Sequence, residues 1–285
     1  MAGRGLCADC FKGTLRGDAQ PTGTVETIHG SPCYVARPPA DQQPLGIIVI
    51  IPDAFGWELL NSRALADVYA RRGPFTVYLP DFMDGKAVPA RTLSLMDKAT
   101  APTSLLTTLS KKPWWWVQAI ADMLPFVWGS REGVVKPRIH NFFRALRNSN
   151  PEGKVGVAGF CWGGRYAVLL CGNQIGNSND GEESLVDCGF TAHPSMLSIP
   201  RDITAVNIPL GVANGDDDAF MGREKMNMLK KVLLEDKSDQ GHEVVVYDGA
   251  KHGFAVRGDP RDPKQTEHGL KAEDQAVAWF RRQFS

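Results

Sequence analysis

The chain has 285 residues, of which 43% are hydrophobic and 22% charged, and its 32 Lys plus Arg balance 32 Asp plus Glu. That length and composition fit one large α/β domain or two smaller ones, and exclude a disordered chain, a coiled coil and a collagen-like rod. Zero net charge provides no global field toward nucleic acid or a membrane, and an apolar run such as Ile47 to Ile51 is far short of a bilayer span.

In chain order, residues 1–40 read as an N-terminal extension rich in Gly, Pro and Cys, with short strands at Thr24 to Ile28 and Pro32 to Arg37. Residues 41–285 read as the main domain. The β-branched run Gly46 to Ile51 predicts a strand buried on both faces, closed by Pro52. Leu59 to Arg72 has helical spacing and ends at Gly73-Pro74. Phe75 to Leu79 is a second strand. Residues 84–131, with four prolines and the triplet Trp114-Trp115-Trp116, predict a lid-like insertion of short helices. A helix at Pro137 to Arg147, a strand at Lys154 to Ala158 and a helix at Gly163 to Cys171 follow. Strands at Cys188 to Ala192 and Ile208 to Ala213, a helix at Arg223 to Glu235, a strand at Glu243 to Tyr247 and a helix at Asp262 to Phe284 complete the chain. This alternation implies a doubly wound, mostly parallel sheet with helices on both faces. Ligands in such sheets bind beyond the C-terminal ends of the strands.

Three polar segments fall at those ends. Gly159-Phe160-Cys161-Trp162-Gly163 joins a strand to a helix, in the Gly-x-nucleophile-x-Gly pattern with Cys in the nucleophile position. The turn is so tight that Gly159 and Gly163 must lack side chains, and it presents Cys161 at a helix N-terminus, which favours a thiolate. The Trp162 amide beside it can stabilise an oxyanion. Gly215-Asp216-Asp217-Asp218 follows a later strand and offers three carboxylates, any of which could orient a base. Lys251-His252-Gly253-Phe254 follows the last strand, so the chain order is nucleophile, acid, His, as in α/β-hydrolases.

These segments resemble the dienelactone hydrolase family, an α/β-hydrolase fold. The Cys161 elbow, Gly215-Asp216-Asp217-Asp218 and His252-Gly253-Phe254 resemble its motifs, as do Asp53-Ala54-Phe55-Gly56-Trp57 and His193-Pro194-Ser195. Cys7 to Thr24 resembles the N-terminal extension of fungal members. The resemblance selects Asp218 over its neighbours and implies a Cys161–His252–Asp218 triad cleaving esters, lactones or thioesters. It further implies that Asp53 contacts the resting thiol and that the Ala54 amide is a second oxyanion donor. Family members carry an Arg shortly after the His to hold a substrate carboxylate. Here Arg257 is displaced by one residue, which turns the expectation toward a larger aromatic or apolar substrate met by Trp114, Trp115 and Trp116.

Phe55, Trp57, His193, Phe254 and Arg257 are expected to line the pocket, although the loop running from Arg257 also reads as a solvated charged turn. His242 is expected to be exposed. Cys7-x-x-Cys10 is half a zinc site with no second half, so neither metal nor cofactor is expected. The expected partner is a small ester or lactone, with no nucleic acid or membrane, for a monomer or homodimer. No apolar stretch follows the charged N-terminus, no glycosylation sequon occurs, and six cysteines are few for this length, which points to a cytoplasmic protein with reduced thiols. Two other functions fit the same residues: a binding or regulatory protein whose elbow no longer turns over, and an acyltransferase or lyase of secondary metabolism.

Overall fold

The structure is a computed structural model in which residues 20–100, 104, 110–175, 184–257 and 262–285 are described. Cys7 and Cys10 lie outside them, as do the first 19 residues of the predicted extension and part of the insertion. Eight strands form one sheet: β1 Thr24–Ile28, β2 Ser31–Ala36, β3 Ile47–Ile51, β4 Thr76–Pro80, β5 Val155–Phe160, β6 Cys188–Ala192, β7 Leu210–Asp217 and β8 Glu243–Lys251. Their order across the sheet is β1-β2-β4-β3-β5-β6-β7-β8. The pairs β1–β2 and β2–β4 are antiparallel, and every pair from β4 to β8 is parallel. The doubly wound, mostly parallel reading therefore holds, and the two short N-terminal strands extend the sheet at one edge.

Strand periodicity divides the core. Ile48 and Ile50 of β3 face one side, where Leu65 and Tyr69 of α1 (Leu60–Arg72) meet Ala276, Trp279 and Phe280 of α8 (Pro263–Phe284). Val49 and Ile51 face the other, against α4 (Glu132–Ser149), α5 (Trp162–Cys171) and α7 (Arg223–Lys230) through Phe143, Val168 and Leu229. A strand apolar at every position can be buried on both faces only in a sheet covered twice.

The insertion departs from the sequence expectation. Between residues 84 and 131 the described residues hold α2 (Arg91–Thr100) and a long helix, α3 (Lys112–Gly129), rather than several short ones. Pro113 begins α3, at a position where the missing N–H costs nothing, and Pro125 is accommodated near its end. The same effect moves α4: it starts at Glu132, and Pro137 lies inside it. A single turn, α6 (Arg201–Thr204), lies between β6 and β7.

Candidate active site

The sharpest feature of the sheet's C-terminal edge is the turn from β5 into α5. Cys161 has φ 53° and ψ −113°, a strained conformation for a residue with a side chain. It is held by its amide bond to the Ala192 carbonyl (3.3 Å) and by the Ser195 amide, which donates to the Cys161 carbonyl (3.0 Å). The glycines around it are sterically required. A methyl group on Gly159 would overlap the Gly163 carbonyl, and one on Gly163 would overlap the Ile51 carbonyl. Gly163→Ala is therefore expected to lower stability by more than ~3 kcal/mol, because backbone has to move. Gly133→Ala, in α4 with open space around it, is expected to leave stability unchanged or raise it by up to about 1 kcal/mol. Thermal unfolding of the two variants checks the contrast.

His252 follows β8 and Asp218 follows β7. The imidazole Nδ1 lies 2.9 Å from Asp218 Oδ2, and neither side chain is exposed. The other oxygen of Asp218 accepts the amides of Phe220 (2.8 Å) and Met221 (3.3 Å), which fixes the carboxylate. Its neighbours go elsewhere: Asp216 accepts the Gly249 amide at 2.6 Å, and Asp217 is exposed. Burial lowers the affinity of His252 for a proton, but the Cys161 sulfur and the Asp218 hydrogen bond outweigh it and push the imidazole pKa up to about 10. The thiol of Cys161 reaches the Ser195 hydroxyl at 3.8 Å and is about 5% exposed. Phe220 packs on the imidazole (4.8 Å), a contact that no sequence pattern marked beyond its position two residues after the acid.

The other predicted residues divide into two groups. His193, Phe55 and Phe254 are buried around this centre. His193 meets His252 edge-on at 5.0 Å and Phe254 at 5.7 Å. Burial, then the charges of His252 and Arg257, hold His193 well below the usual histidine range, so it is a neutral wall and not a competing base. Ala54 and Trp57 are half-buried after β3, with the Arg63 guanidinium over the Trp57 ring at 4.8 Å. Trp162 is buried at the head of α5, where its amide has no intrahelical acceptor.

Three expectations are corrected. Arg257 is not in a solvated turn: it is buried, donates from Nη1 to Asp53 Oδ2 at 2.9 Å, and places its guanidinium 5.2 Å from the centre of the Phe55 ring. It also lies across Gly253 (φ 91°), where a side chain would collide with it. Asp53 uses one oxygen for Arg257 and the other for the Phe55 amide (3.0 Å), and the charge of Cys161 is among the influences that raise its pKa. Burial raises the Asp53 pKa, and Arg257 opposes that rise. Trp114 and Trp116 are exposed and Trp115 half-buried; the insertion residue that touches the elbow is Phe126, 5.9 Å from Trp162 and about three helical turns beyond the triplet. Finally, His242 is half-buried: its Nδ1 accepts the Leu210 amide at 3.1 Å, and burial pulls its pKa down to about 4.

Among the described residues no cluster of His, Cys, Asp and Glu could hold a metal ion, and no helix is long and apolar enough to cross a membrane.

Comparison with known proteins adds the lineage. The chain is similar to Hydrolase pyvD of Aspergillus violaceofuscus, with 26% identity over 277 residues that cover 95% of this chain and 94% of that protein. It is also similar to Dienlactone hydrolase 1 of Gibberella moniliformis, with 26% identity over 258 residues, 90% of this chain and 85% of that one. Among solved structures, the dienelactone hydrolase of Anabaena variabilis shares the fold at a TM-score of 0.55 and 15% identity, over 92% of this chain and 98% of that one. The model of the Dienelactone hydrolase family matches residues 32–284. With that match over most of its length, the chain belongs to the dienelactone hydrolase family, whose members are hydrolases of the lactone and ester type.

Proposed function

We propose that the protein hydrolyses an ester or lactone through a Cys161–His252–Asp218 triad. The observation that carries this reading is the buried His252–Asp218 pair at 2.9 Å, with the Cys161 sulfur as the strongest influence raising the imidazole pKa. The direction of that shift favours a protonated ring beside an ionised sulfur, which is the resting state this mechanism uses. The sulfur attacks the substrate carbonyl carbon, forming a C–S bond, while the Trp162 and Ala54 amides hold the oxyanion. The C–O bond then breaks and His252 gives its proton to the leaving oxygen. Neutral His252 takes a proton from water as that water attacks the thioester, and the C–S bond breaks to restore the thiolate. Asp218 holds the imidazole in the tautomer that both steps need.

Arg257 suggests part of the substrate. Its Nε and Nη2 are buried without hydrogen-bond partners among the described residues, which suits a substrate that presents a carboxylate or carbonyl oxygen there. This replaces the Trp triplet as the guide to specificity.

The test is reactivity with iodoacetamide at pH 7, followed by intact mass and peptide mapping. The first adduct is expected on Cys161, ahead of Cys7 and Cys10, with aryl-ester hydrolysis lost in proportion to it. Burial pushes Cys33 up to about 12 and raises Cys171 and Cys188, so these thiols are expected to stay unmodified. His252→Asn is expected to slow the labelling of Cys161 at least about tenfold. Full hydrolytic activity in the labelled protein would remove Cys161 from the mechanism.

A further inference from the structure

Helix α3 is apolar on the side that faces away from the protein. Its inward side carries Ala119, Met123 and Phe126, together with Asp122, whose carboxylate is gripped by Arg91 and accepts the Thr92 hydroxyl at 3.0 Å. Every exposed residue of the helix is apolar. Trp114, Val117, Ile120, Leu124, Val127 and Trp128 recur at one-, three- and four-residue steps along one arc, each between 50% and 71% exposed. Six large side chains at that exposure make a patch beyond the ~300–600 Å² of an ordinary monomer. A helix apolar all round belongs in an apolar environment on both sides, and the protein supplies only one.

The charges at its ends indicate what supplies the other. Lys111 and Lys112 stand at the start of α3, and Arg131 follows its end with the guanidinium 4.7 Å from the centre of the Trp128 ring. The neighbouring acid, Glu132, is paired with Lys136 and Arg165. A second copy of the chain docked on this face would set cations against cations: antiparallel helices bring Lys111 and Lys112 to the partner copy's basic end, and parallel helices bring like to like. A layer of anionic headgroups complements both ends at once, and tryptophan beside Lys or Arg is the composition of a helix lying in a bilayer interface.

We propose that the outward face of α3 seats the protein on an anionic lipid surface, with the helix lying flat over its ~27 Å length. The sequence expectation of no membrane partner rested on net charge and on the lack of a spanning segment, and neither excludes an in-plane helix. The contact would lie one helix thickness, ~10 Å, from the elbow, because Phe126 on the inward side touches Trp162.

Flotation of the full chain with vesicles tests this. Wild type is expected to float with equal parts phosphatidylglycerol and phosphatidylcholine, and to bind pure phosphatidylcholine about tenfold more weakly. The Leu124→Glu/Trp128→Glu double variant, at two exposed positions, is expected to lose at least about tenfold in binding to the anionic vesicles. Its circular dichroism, melting temperature and hydrolysis of a soluble aryl ester are expected to match wild type, which separates this outcome from failure of the hydrolase reading. Absence of wild-type flotation, or equal flotation of the double variant, would overturn the proposal. So would a vesicle-free dimer in analytical ultracentrifugation that the double variant splits, since that assigns the face to a second copy.

Discussion

Cys161→Ala is expected to reduce kcat/KM for an aryl ester by about 10⁴-fold or more, with the fold intact. The size of the loss follows from the arrangement of the site. In the proposed triad His252 serves the sulfur, and with the sulfur gone no described group stands ready to take its place. Ser195 is the nearby hydroxyl, but its recorded contact is with the sulfur itself, and His193 is neutral with no hydrogen-bonded partner for its ring. Asp218→Asn is expected to cost about 10⁴-fold by a different route, leaving the thiol in place while favouring the wrong imidazole tautomer. The two variants differ in labelling: the first has no reactive thiol, and the second keeps a slower one. Steady-state kinetics together with intact mass distinguishes them. Unchanged turnover in Cys161→Ala would end the case for a thiol nucleophile.

The largest effect on stability is expected from Arg257→Met, which leaves Asp53 buried without its ion partner and costs ~3–5 kcal/mol near neutral pH. The pH dependence has a definite sign. Burial already raises the Asp53 pKa above its ordinary 3.8, and Arg257 is the charge that restrains it. Without Arg257 the folded-state pKa rises further, so the folded variant holds a proton that the unfolded chain releases. Its stability relative to wild type is then greatest below the wild-type folded-state pKa, which itself lies above 3.8, falls as pH rises from that value to the new one, and is flat above the new one. Urea unfolding of variant and wild type at pH 4 and pH 8 is expected to show the larger gap at pH 8. The Asp53→Leu/Arg257→Met double variant, with no buried charge left, is expected to recover most of the loss. Equal gaps at both pH values would show that the carboxyl group is not the source.

The sequence was most legible where local chemistry and global fold demanded the same residues. The β3 run can only be a strand covered twice, and Gly159 and Gly163 flank a turn that admits no side chain, so both were readable before any coordinates. Each of Cys161, Asp218 and His252 follows a predicted strand, which puts all three at the C-terminal edge of the sheet. Choosing Asp218 from three adjacent aspartates needed either the family pattern or the hydrogen bonds themselves, because alternation in an irregular turn does not say which carboxylate turns inward. Arg257 was misread for a related reason. A run of charge next to Gly and Pro looks solvated, and nothing local records that Asp53, about two hundred residues earlier, is its partner. In the insertion, prolines read as breaks between short helices, although Pro113 starts a long one. The Trp triplet suggests a pocket, whereas on α3 Trp114 and Trp116 are exposed and Trp115 is half-buried.

Neighbouring strands of this sheet mostly follow one another in sequence, but the proposed triad waits for the last of them. Cys161 follows the fifth strand, whereas His252 and Arg257 follow the eighth. A chain still emerging from the ribosome, or one that has lost its C-terminal quarter, carries a sulfur with no proton partner and no guanidinium opposite Asp53. If the proposed triad carries the hydrolysis, competence therefore appears only once residues up to Arg257 have been made and folded, and catalytic output reports that this last strand has joined the sheet.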